Sequence, residues 1–179
     1  MRFSTPDCRL SIMESRWGLI PDMGASITLR ELVRMDVAKE LTMTGRIISG
    51  TEAERIGLVT RCVDDPMAEA MKVAMEIVER YVRTRSNFRP RSLLRYNAIV
   101  VLIVPWWGGG NNSSRRSPDS VAATKELFQS TWVEADEKTC LAKETDLQTK
   151  LIGTWNQIAA SGRQLTGVSL PYFQWKGRS

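Results

Sequence analysis

Glu14 and Asp22 are the two side chains in this sequence best placed to move a proton, standing on either side of the apolar run Leu19-Ile20-Pro21. The 179 residues contain no histidine, so proton transfer near neutral pH falls to carboxylates, cysteine, lysine or tyrosine. A carboxylate flanked by Met13, Trp17 and Leu19 is partly desolvated, which raises its pKa toward a catalytically useful range. A second carboxylate nearby can then give or take the proton at another atom. Each residue also has a plainer reading. Glu14 suits a surface carboxylate or a helix cap. Asp22 suits a cap on the helix that starts near Gly24, where its charge meets the favourable end of the helix dipole. Metal chemistry finds no ligand set, because Cys8, Cys62 and Cys140 are far apart in sequence and there is no histidine to join them. Three separated cysteines also argue against a disulfide framework.

The elements that must hold these carboxylates follow an α/β rhythm. Met23-Gly24-Ala25-Ser26 leads into a helix over about 27–33, and a second helix covers about 37–42 before a turn at Thr44-Gly45. Thr51 and Glu54 have the spacing of a capping pair, and Gly57 suits a left-handed helix end. Residues 58–63 read as a short extended segment. Pro66 to Arg80 is helical, with Met67, Ala70, Met71, Ala74, Ile77 and Val78 recurring at three and four residues. Ser117-Pro118-Asp119 opens a further helix toward Trp132. From Lys138 to Ala160, Leu141, Leu147, Leu151, Trp155 and Ile158 keep a broadly helical period.

Composition and length fit one folded domain, with 42% hydrophobic and 25% charged residues. No signal segment is visible at residues 1–7, and the longest apolar run, Ala98 to Trp107, is about half of what a bilayer crossing needs. No membrane partner is expected and no compartment is indicated. The net charge of +5 is concentrated between Tyr81 and Arg116, where seven arginines meet no lysine, aspartate or glutamate; the other 143 residues sum to −2. That segment interrupts the helical rhythm and reads as an atypical insert. It suits an inserted strand and loop, a non-native peptide, or an arm for phosphates and bases. Its Gly-rich end is too flexible to present a defined face, so no nucleic-acid partner is expected. The domain reading is therefore 1–80, the insert 81–116, and a helical region 117–179.

The segments MESRWGLIPDMGAS and LTMTGRIISGTEAERIGLVTRCV, with the later SPDSVAATKELF, resemble the enoyl-CoA hydratase/isomerase (crotonase) superfamily. The resemblance covers roughly 140 residues and is most specific over the first sixty. It places residues 1–80 in the C-terminal half of the crotonase core and implies a partial crotonase-like α/β fold with a C-terminal helical region. It also implies action on acyl-CoA thioesters in fatty acid metabolism, as a double-bond isomerase or an enoyl-CoA hydratase, and no cofactor beyond the coenzyme A carried by the substrate. Glu14 matches the family's catalytic glutamate. Asp22 matches the second acid of dienoyl-CoA isomerases, a position where many hydratases have glycine. Leu19, Ile20 and Pro21 match the apolar wall around the acyl chain, Met23 and Gly24 match the start of the helix that follows it, and with Trp17, read as wall or core, they make up the expected substrate-binding set. The family's oxyanion-hole amides and CoA-binding units are expected upstream of Met1. Trimers or hexamers are implied, and so is the alternative of a catalytically inactive chain that binds other subunits.

Overall fold

The computed structural model describes residues 1–84 and 116–173. Of the segment read as an insert, residues 85–115 lie outside this description. The described residues fall into two compact units, residues 1–10 with 49–84 and residues 11–48 with 116–173.

In the first unit a minimal parallel pair joins β1 (Phe3–Ser4) to β4 (Arg61–Cys62), with Phe3 opposite Arg61 and Ser4 opposite Cys62. The Val63 amide donates to the Ser4 carbonyl at 2.9 Å, and the Arg2 guanidinium donates to the Leu58 carbonyl at 2.6 Å. Between the strands lies α3 (Gly50–Arg55). Its cap is Ser49, whose hydroxyl accepts from the Glu52 amide, and not Thr51. The Glu54 carboxylate, expected to close that pair, instead accepts from the Cys62 amide at 3.1 Å. Gly50 begins α3 so close to β1 that a Cβ there would overlap the Thr5 carbonyl oxygen. Helix α4 (Pro66–Thr84) packs against β1. Among residues 66–80 of this helix Val73 is buried, whereas Met67, Met71, Met75 and Ile77 are each more than half exposed. Of the apolar residues that mark the helix period, Met67, Met71 and Ile77 are exposed and Ala70, Ala74 and Val78 are half-buried.

The second unit begins with a single 3-10 turn (Glu14–Trp17), followed by α1 (Ala25–Leu32) and α2 (Met35–Thr44). It ends with α5 (Pro118–Thr131), α6 (Glu137–Leu151) and α7 (Trp155–Thr166). The short strands β2 (Arg9–Leu10) and β3 (Ile48–Ser49) lie where the chain passes from one unit to the other. The caps follow the sequence closely. Ser117 accepts from the Ser120 amide, Asp136 from Thr139 and Thr154 from Gln157. Such caps are each worth about 1 kcal/mol. Gly45, in the left-handed conformation at φ 55°, ends α2.

The single helical period expected over 138–160 is two helices broken at Ile152-Gly153-Thr154, with Gly153 at φ 78°. Ile20, Leu127, Leu147 and Leu151 form the core of this unit, with Leu19 and Ala123 packed against it. Leu141, Trp155 and Ile158, which share the expected period, are exposed. The stripe of α6 that goes inward is Cys140, Glu144, Leu147 and Leu151. Among the described residues no helix is long and apolar enough to cross a membrane.

Candidate active site

Glu14 sits at the start of the 3-10 turn, a conformation closed by the Arg16 amide on the Met13 carbonyl and the Leu19 amide on the Glu14 carbonyl. The turn is clamped from two sides. On one, the Trp17 carbonyl accepts from Gln157 Nε2 at 3.4 Å and Ser161 Oγ at 3.2 Å, both on α7. There Gly18, at φ 74°, lies so near α7 that a Cβ would stand 2.8 Å from the Gln157 Cα. On the other, Arg16 is buried and its Nε donates to the Gly45 carbonyl at 2.9 Å. Arg16 thus stitches the turn to the end of α2 and does not extend into solvent.

The Glu14 carboxyl is half-buried, and its Oε2 is enclosed with no hydrogen-bond partner among the described residues. Burial pushes its pKa above the ordinary value, and the charge of Asp22 pushes it further, against an opposing hydrogen bond from its own backbone amide. The two carboxylates singled out by sequence are therefore electrostatic neighbours.

Asp22 is held from α6. Gln148 Nε2 donates to Asp22 Oδ2 at 3.3 Å, while Gln148 Oε1 accepts from the Ile20 amide at 3.1 Å. The Ser120 hydroxyl of α5 donates to the Leu19 carbonyl, so the loop between the two carboxylates is fastened at both ends. Asp22 does not cap α1 with its side chain; only its carbonyl takes part, accepting from the Ala25 amide at 3.2 Å. The cap comes from Glu144, a buried residue of α6. Its Oε2 accepts from the Gly24 amide at 2.9 Å, and its Oε1 from the Ser26 amide at 2.8 Å and the Ser26 hydroxyl. A carboxylate at this end of a helix meets both the unpaired amides and the positive end of the dipole.

The other residues assigned by sequence fall into different environments. Ile20 and Pro21 are fully buried, Ile20 within the core cluster, and Leu19 is half-buried against it. Trp17 and Gly24 are half-buried. Met23 is 96% exposed and has φ 57°, a left-handed conformation that strains a non-glycine residue. Among the described residues no group of three or more cysteine, aspartate or glutamate side chains could hold a metal ion. Of the basic segment, Arg116 donates from Nε to the Thr44 carbonyl at 2.8 Å. Its pKa is lowered, first by burial and then by the neighbouring Arg16.

The sequence singled out Glu14 and Asp22 but not Gln148 or Glu144, whose side chains meet the loop that carries them. Glu144 had a signal: it interrupts an otherwise apolar inward stripe, where a carboxylate is tolerated only with donors to meet it. Gln148 had none, because an amide on a helix becomes informative only once the loop it meets is known.

Residues 5–89 match the profile of the family described as Enoyl-CoA hydratase/isomerase. An 81-residue stretch is 37% identical to the glyoxysomal fatty acid beta-oxidation multifunctional protein MFP-a of Cucumis sativus, covering 44% of this chain and 11% of that protein. Two solved structures share the fold. An enoyl-CoA hydratase/isomerase from Pseudoalteromonas atlantica is 17% identical with a TM-score of 0.56, over 96% of this chain and 55% of the other. Pseudomonas aeruginosa OdaA is 20% identical with a TM-score of 0.51, over 92% and 53%. The chain thus spans about half the length of these solved structures. The fold is α/β and crotonase-like, with the C-terminal helical region α5–α7. The assignment to the C-terminal half of that fold is overturned, because the matched segment, residues 5–89, is N-terminal.

Proposed function

We propose, from the membership in the enoyl-CoA hydratase/isomerase family that these matches support, that this chain carries the proton-transfer half of an acyl-CoA site, with Glu14 and Asp22 as its two carboxylates. The observation that carries the reading is Glu14 itself: a half-buried carboxyl with a raised pKa, whose Oε2 has no partner among the described residues, beside a second carboxylate. Such a group holds a proton that it can deliver to carbon, which leaves Asp22 to accept the one removed. The pair favours double-bond isomerisation over hydration. One carboxylate removes a proton from carbon, and the C–H electron pair moves into a new double bond as the thioester oxygen gains negative charge. As that charge returns, the old double bond opens toward the other carboxyl, which delivers a proton at a different carbon. Atoms and charge balance without an oxidant, and coenzyme A serves as the handle of the thioester.

Turnover of enoyl- and dienoyl-CoA thioesters, followed by ultraviolet absorbance as conjugation changes, tests this reading. Glu14→Gln is expected to lower kcat by roughly a hundredfold or more, the range for loss of a general acid or base. Unchanged turnover in that variant removes Glu14 from the mechanism.

A second reading, a catalytically silent chain that joins other subunits, draws on the exposed Met67, Met71 and Met75 at four-residue spacing along α4. Trimers or hexamers formed through helices suit that face. A monomer in light scattering, unchanged by Met71→Glu, argues against it.

A further inference from the structure

We propose that Gln148 is the positioning residue for Asp22, an amide clamp that sets which carboxylate oxygen is left for chemistry; this rests on the reading of Glu14 and Asp22 as the proton-transfer pair. The Ile20 amide can only donate, so it must meet the oxygen of the Gln148 side chain, as it does at 3.1 Å. Once the oxygen is committed, the planar amide has no choice for its nitrogen, which donates to Asp22 Oδ2 at 3.3 Å. The orientation of the amide is thus settled by the hydrogen bonds themselves.

The clamp spans the segment that must be placed. Ile20 and Pro21 are fully buried, and Asp22 directly follows them, so anchoring at both 20 and 22 leaves the carboxylate little freedom. The donor from Gln148 occupies Oδ2, leaving Oδ1 as the oxygen available to a substrate proton. The charge of Asp22 in turn strengthens the hold of Glu14 on its proton. Gln148 has no direct role in bond making. It acts through Asp22.

The first test needs no substrate. In the full chain, the Gln148 side-chain amide resonances are followed by nuclear magnetic resonance through the carboxylate pH range, in the unaltered protein and in Asp22→Asn. The amide signals are expected to move with a carboxylate titration and to stop moving in Asp22→Asn. Signals that ignore pH, or that move equally in Asp22→Asn, overturn the clamp.

The second test separates positioning from simple loop support. Gln148→Glu keeps an oxygen for the Ile20 amide but sets a carboxylate against Asp22. It is expected to lower kcat roughly tenfold or more with little change in KM, since small displacements of a reacting group have effects of that size. Unchanged kcat there overturns the positioning role. Absence of turnover in the unaltered chain instead refutes the catalytic reading of the pair, and with it the role assigned here, while the amide titration reports separately whether the hydrogen bond exists.

Discussion

Ionising Glu14 in the folded chain puts charge on a carboxyl whose Oε2 meets no donor among the described residues. Its folded pKa lies above the ordinary 4.5, chiefly through burial, so folding favours the protonated form. The resulting stabilisation is fully present below the unfolded value and is lost as pH rises through the folded pKa. Glu14→Gln keeps the shape without the charge. It is therefore expected to raise the thermal midpoint above that of the parent at pH 7, with the difference shrinking toward zero at pH 4; calorimetry at the two pH values checks this. A variant less stable than the parent at pH 7 contradicts a half-buried carboxyl with a raised pKa. Glu14 was legible in sequence because its apolar neighbours foretold its burial. Its relation to Asp22 was legible as a spacing, but the amide that holds Asp22 arrives from residue 148 and left no trace in the local pattern.

At the scale of elements, the helix boundaries followed from local chemistry wherever a cap residue and a period agreed. Ser117 before Pro118 and Gly45 after α2 are such cases. The break between α6 and α7 was also written, in Gly153 followed by Thr154 and, three residues on, Gln157, the order of a helix stop and a new cap. A continuing apolar period concealed it. Thr154→Ala removes the acceptor for the Gln157 amide and is expected to cost about 1 kcal/mol in urea denaturation. Glu144→Ala should cost more, about 3 kcal/mol, because it leaves the Gly24 and Ser26 amides without an acceptor in a closed setting. If the two variants cost the same, Glu144 is no more than an ordinary cap. On α4, periodicity identified the helix but could not say which face goes inward, since alanine and methionine are acceptable on either side.

For the molecule as a whole, sequence foretold α/β architecture and a helical C-terminal region, but not the division of its residues into two units threaded by the same chain. Residues 1–10 and 49–84 come together across a gap in sequence, which a left-to-right reading of local pattern does not reveal. Gly50→Ala tests the closest approach inside that unit. The added methyl meets the Thr5 backbone, which cannot move aside as a flexible side chain would. A loss of about 3 kcal/mol is expected, read as faster hydrogen exchange at residues 1–10 and 49–84. Unaltered protection in those segments means that α3 shifts to make room.

The clamps on the Glu14 turn have one more consequence, in the order of events during synthesis. Every side chain that fixes this turn and its loop from α6 or α7 lies between 118 and 144 positions further along the chain. At ribosomal speeds of about 5–20 residues per second, Glu14 therefore leaves the ribosome on the order of ten seconds before its partners exist. During that interval Leu19 and Ile20 have no cover from α6, and the young chain presents them to whatever it meets. Chaperone capture during translation should accordingly peak while residues 1–48 are out and α6 is not, and end abruptly once Gln157 and Ser161 have emerged.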